Sequence, residues 1–80
     1  MSKKDYELIA TTVKHMELGD STQVYIATML AEAFAMDNTR FDKTRFVKAS
    51  VDANLSPLYI AEVQSSSQAR VDRLKEALNA

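Results

Sequence analysis

The chain has 80 residues, of which 46% are hydrophobic and 26% charged, with one Gly, one Pro and no Cys; ten Lys and Arg against eleven Asp and Glu leave a formal net charge of -1. That length allows one domain, and the missing cysteines exclude a disulfide scaffold, an iron–sulfur centre and a thiolate zinc site. So few Gly and Pro argue against a turn-rich all-β fold, and the balanced charge provides no basic field of the kind that marks nucleic-acid binders.

What remains is a small all-α bundle of four to five helices, forming one domain over residues 1–80. In the first segment, residues 2–18, Tyr6, Ile9, Ala10, Val13 and Met16 recur at the spacing of one helical face. Ser2 followed by Asp5 has the form of a capping box. The single glycine, Gly19, fits the left-handed position just past a helix end. Asp20 or Ser21 can cap the next helix, with Gln23 three residues after Asp20.

The second helix is predicted over residues 22–36. Val24, Ala27, Leu30, Ala31 and Phe34 form one stripe, widened by Ile26, Met29 and Ala33, and the polar Tyr25, Thr28 and Glu32 form a narrow opposite stripe. A helix this apolar and alanine-rich is predicted to be central. Residues 37–40 read as a turn. Asp42 is then the N-cap of a third helix over residues 43–51, with Phe41 stapled onto Phe46 and with Phe46, Val47 and Ser50 or Val51 buried. Phe34, Phe41, Phe46, Leu30 and Ile9 are predicted to share one core. Residues 52–55 close the third helix.

Ser56–Pro57 is a helix start, a serine cap with proline at the first helical position. Beyond it, Ile60, Gln64, Ser67, Val71, Leu74 and Leu78 follow one helical spacing, so a single helix over residues 57–79 fits. The polar run 64–68 contains three serines, which also fit a break into two helices.

Chemistry-bearing constellations are sparse. His15 is the only histidine and shares no helix face with carboxylates at metal-ligand spacing. It reads as a surface or boundary histidine. No nucleophile–base pair and no glycine-rich phosphate loop is visible, so neither enzymatic activity nor a cofactor is predicted. Two surface features stand out. Arg40, Lys43, Arg45 and Lys48 give residues 37–48 a local positive excess, with Arg45 and Lys48 predicted on the outer face of the third helix; this is a candidate polar interaction patch. Val71, Leu74 and Leu78 form a narrow apolar seam flanked by both charge signs. That seam fits either docking back on its own domain or pairing with a second chain; it is a candidate dimer contact, because so short a chain buries only about 60% of its unfolded surface and gains from a partner.

Two runs of the sequence also carry a resemblance: Lys4-Asp5-Tyr6-Glu7-Leu8-Ile9-Ala10, and Asp37-Asn38-Thr39-Arg40-Phe41-Asp42-Lys43-Thr44-Arg45-Phe46. With residues 26–35 between them, they resemble short uncharacterised proteins of bacteriophage and prophage genomes that carry KDYE-x-IA and DN-P-RFD-x-x-RF motifs. The likeness covers about residues 3–49. Thr39 stands where those proteins often have proline, and the chain departs from them at Ala49–Ser50 and continues through residues 51–80. The resemblance implies a phage or prophage origin and the bacterial cytoplasm. It assigns no activity and no site residue. At the N-terminus, acids follow Lys3 and Lys4 where a signal peptide would be apolar, which also predicts a cytoplasmic protein without a membrane span.

Three functions are compatible with these readings. The first is non-enzymatic binding that modulates or inhibits a host or defence protein, as an anti-CRISPR inhibitor does. The second is a small DNA-binding regulator that uses the basic third helix, disfavoured by the charge balance. The third is a virion or assembly component. Phage-type protein binding is the leading expectation, with the target unidentified and a homodimer expected through the seam.

Overall fold

A computed structural model describes residues 2–51 and 54–79. Among them the chain forms five helices and no strand: α1 (Lys3–Lys14), α2 (Asp20–Asp37), α3 (Lys43–Ser50), α4 (Pro57–Ser66) and α5 (Gln68–Asn79). The all-α class and the central role of α2 match the sequence reading, since α2 packs against each of the other four helices.

Local signals act where their chemistry predicts. At α1 the Ser2 hydroxyl accepts the Asp5 N–H, and the Asp5 carboxylate accepts the Ser2 N–H at 3.0 Å, closing the capping box. At α3 the Asp42 carboxylate accepts the Arg45 N–H at 3.0 Å. The Phe41 and Phe46 ring centroids lie 5.6 Å apart, as a staple requires. At α4 the Ser56 hydroxyl accepts the Tyr59 N–H, with Pro57 in the first turn.

The α1–α2 junction differs from the expectation. Helix α1 stops at Lys14, short of residue 18, and His15 is its C-cap. The left-handed residue is Glu17, at φ 50, and not Gly19. Gly19 has φ -58 and ψ 148 and is itself the N-cap of α2, with no side chain to cap it; Asp20 lies in the first turn, so neither Asp20 nor Ser21 is the cap. The physical reason is Gln23. Its side chain is turned inward and donates to the carbonyls of Val13 (3.2 Å), Lys14 (3.1 Å) and Ser50 (3.0 Å). These include the open carbonyls at the end of α1, so α1 is terminated by α2 and not by its own glycine.

The core is built from Ala10 and Val13 of α1, Val24, Ala27 and Ala31 of α2, Phe46 and Val47 of α3, then Val51 and Val63. Phe46 is buried, and Phe34, Phe41, Leu30 and Ile9 are partly buried against this core. Ser50 and Val51 are both buried. Four rings, Tyr6, Phe34, Phe41 and Phe46, cluster in edge-to-face and tilted pairs at centroid distances of 4.6 to 5.6 Å.

The polar stripe of α2 is covered. Thr28 is buried, Tyr25 accepts a hydrogen bond from Arg70 at 2.9 Å, and the Glu32 carboxylate meets Lys43 at 2.9 Å and Lys75 at 3.4 Å. The stripe is covered because the C-terminal helices return over it. They can do so because the chain breaks at the serines. Ser67 caps α4 with φ -87 and ψ -7, the Ser66 and Ser67 hydroxyls both donate to the Val63 carbonyl, and α5 restarts at Gln68. Of the two alternatives for residues 57–79, the chain takes two helices. Within the closing segment 52–55, Asp52 and Ala53 lie outside the described residues.

Candidate functional site

The two motif runs, about thirty residues apart in sequence, meet across one cleft between α1 and α3. Its volume is about 310 Å³. The closed capping box sets the first turn of α1 and brings Lys3, Tyr6, Glu7 and Ala10 to one face, at the i, i+3, i+4, i+7 spacing. The opposite wall begins at the turn after α2. There the Asn38 side-chain oxygen accepts the Arg40 N–H at 3.1 Å, and the Asn38 carbonyl accepts the Phe41 N–H at 3.0 Å. This turn aims Arg40 and Phe41 at the cleft, and the Asp42 cap then places Arg45, Phe46 and Ala49 along it. Tyr6, Phe41 and Phe46 are the aromatic part of the lining.

The charges at this mouth are Lys3, Arg40 and Arg45 against Glu7 and Asp42. Lys3 and Glu7 approach only to 4.0 Å, both exposed, a pair of little energetic weight. Asp42 spends one carboxylate oxygen on its cap. Among the described residues no ion pair engages Arg40 or Arg45, and both side chains are exposed. Asp5, on the same turn, faces Ser2: hydrogen bonds from the Ser2 backbone and then its side chain hold the Asp5 carboxyl below its ordinary value.

The candidate patch is therefore divided. Arg40 and Arg45 flank the α1–α3 cleft. Lys43 is held by Glu32, and Lys48, exposed like Arg45, lines a separate groove between α3 and α4. In Glu32 burial works to raise the carboxyl, but the hydrogen bond and charge of Lys43, joined by Lys75, outweigh it and hold the group below its ordinary value. The candidate seam divides as well. Val71 is 1% exposed, Leu74 is half-buried and Leu78 is 58% exposed, so its first member belongs to the chain's own interior.

His15 stands exposed at the end of α1, beyond the cleft-lining residues. Among the described residues no three His, Cys, Asp or Glu converge as a metal site, and no helix is long and apolar enough to cross a membrane. Sequence reasoning missed Gln23 and the buried face of Thr28. A polar residue inside a run of core spacing was the available signal for Gln23. Thr28 followed a polar stripe that lies beside residues of α3, α4 and α5. Compared with known proteins, the chain matches no family model, no curated protein and no solved structure.

Proposed function

We propose that this chain is a bacteriophage or prophage product that works without catalysis in the bacterial cytoplasm, binding a host or defence protein and modulating or blocking it, in the manner of an anti-CRISPR inhibitor. The observation that supports this reading is the meeting of the two motif runs at the α1–α3 cleft. Arg40, Phe41, Asp42, Arg45 and Phe46 of one run face Tyr6 and Glu7 of the other. Tyr and Arg are the side chains that most often dominate protein interfaces, because they combine large contact area with few rotatable bonds or a planar donor fork. Two unpaired guanidinium groups over an aromatic lining suit a partner that presents a carboxylate beside an apolar side chain.

The DNA-binding alternative has less support. It needs a continuous row of cations along phosphates, and here Lys43 is engaged by Glu32 while Lys48 lines the other groove.

The test is affinity capture from a bacterial host lysate with mass spectrometry, run in parallel with Arg40→Ala/Arg45→Ala and Lys48→Ala. The expected result is a protein retained by the wild type and by Lys48→Ala and lost with the double variant. Identical captures from all three would reject the cleft. A salt-sensitive duplex band shift at physiological salt, removed by replacing Arg40, Lys43, Arg45 and Lys48, would install the DNA reading in its place.

A further inference from the structure

A concavity larger than the α1–α3 cleft is on another face. Val47, Lys48 and Val51 of the α3 side, Leu55, and Pro57, Ile60 and Ala61 of α4 enclose a groove of about 510 Å³. Its floor is apolar: Val47 and Val51 are buried at 2% each. Beside it stands Leu58, the most exposed large apolar side chain of the described residues at 84%. A leucine this exposed is barely covered by its own chain. Ala61, Glu62 and Ser65, at i+3, i+4 and i+7 from it, are also exposed, so one whole face of α4 is left without a neighbour.

We propose that this groove is the contact with a second copy of the same chain, with Leu58 of each copy seated in the groove of the other. Two features select a second copy over any other occupant. Knob and groove lie on one continuous patch, so a two-fold axis satisfies both at once and closes the assembly at two. The charges also match across such an axis. Lys48 is on the α3 wall one turn before Val51, and Glu62 is one turn beyond Leu58. Both are exposed, and among the described residues neither takes part in an ion pair. With the axis running along α4, Leu58 of one copy lies over Val51 and Leu55 of the other, and its Glu62 meets the other's Lys48. The contact uses α4, not the Val71–Leu74–Leu78 seam, whose first residue is buried at home. It is also separate from the α1–α3 cleft, so either reading can fail alone.

Sedimentation equilibrium of the full chain at tens to hundreds of micromolar decides it. The wild type is expected at twice the 8.9 kDa of one chain. Leu58→Asp, at an exposed position that leaves the circular dichroism unchanged, is expected to weaken the pair roughly a hundredfold or more. Leu78→Asp is expected to leave it intact. Lys48→Glu and Glu62→Lys each weaken it, and the two together restore it. Should Leu58→Asp also lose helical signal, the charge-reversal series decides alone, and a series with no effect overturns the proposal. A wild-type mass of one chain throughout, whether or not another protein is captured at the groove, overturns it, as does dissociation by Leu78→Asp but not by Leu58→Asp.

Discussion

Residues 2–51 bury Phe46, Val13, Val24 and Val47 against one another, whereas α4 and α5 each commit one valine to the interior, Val63 and Val71. The rest of the C-terminal attachment combines partly buried Leu55, Tyr59 and Ile60 on the same core with polar contacts: Glu32 between Lys43 and Lys75, Arg70 on the hydroxyl and ring of Tyr25, and the Ser67 turn. Apolar burial scales with area and is cooperative, while partly exposed ion pairs contribute little each. The first three helices thus hold most of the buried apolar residues, α4 joins the same core through Val63, Tyr59 and Ile60, and α5 is clasped to it largely by polar contacts. Regions with few buried apolar contacts open first.

The strongest way to break this contrast is through Phe46. Phe46→Ala removes a ring that is 4% exposed and touches Phe34 and Phe41. It should cost about 3–5 kcal/mol, and denaturant melts followed by circular dichroism should show all five helices lost together. Survival of the α1–α3 amides in hydrogen exchange would contradict the assignment of most of the core to those helices.

Gln23→Leu comes next. It keeps the bulk and removes the donor shared by the Val13, Lys14 and Ser50 carbonyls. The Val13 carbonyl keeps the Met16 N–H and the Lys14 carbonyl is only partly buried, so losing the inward donor should cost about 1–3 kcal/mol, read as a lower denaturation midpoint with an unchanged slope. A variant as stable as the wild type would mean that the side chain is not the clamp joining α1, α2 and α3.

The elements themselves were legible in the residues, because caps and staples are local. Ser2 with Asp5, Asp42 with Phe41 and Phe46, and Ser56 with Pro57 each act within a few positions of themselves. What was not legible depends on distant partners. Gly19 gave a false stop because Gln23, acting from the next helix, ends α1. Tyr25, Thr28 and Glu32 read as a narrow polar stripe, but nothing local announces Arg70 and Lys75 arriving above it. The basic residues of the patch were countable, but which wall of α3 each one serves depends on where α1 and α4 pack.

Glu32 sharpens the comparison at the clasp. Glu32→Gln leaves Lys43 and Lys75 without their carboxylate and should cost about 1 kcal/mol. The same loss is reached by acid. A carboxyl whose folded pKa lies below its unfolded value contributes stability that is present above the unfolded value and lost as pH falls through the folded one. Amide exchange in α5 should therefore accelerate relative to α1–α3 as pH is lowered through the carboxylate range, after correction for intrinsic rates. In Glu32→Gln that differential should vanish. An equal response of both regions would make the clasp part of the core.

The smallest change gives the finest separation of the two regions. Gly19 has a backbone conformation open to any residue, and nothing lies within 4 Å of the position a Cβ would take. Gly19→Ser therefore meets no strain, adds the missing side-chain cap to α2 and reduces the freedom of the unfolded chain. Together these should stabilise by about 0.5–1 kcal/mol. A glycine holding a left-handed turn would respond in the opposite direction, so the sign alone tests the geometry of the junction. The gain should raise protection of the most slowly exchanging amides of α1–α3, which exchange through global unfolding. If α5 opens by releasing its clasp, its amides exchange without unfolding α2 and their protection should not move. A parallel rise in both regions would show that the two C-terminal helices unfold only with the rest, despite contributing one buried valine each.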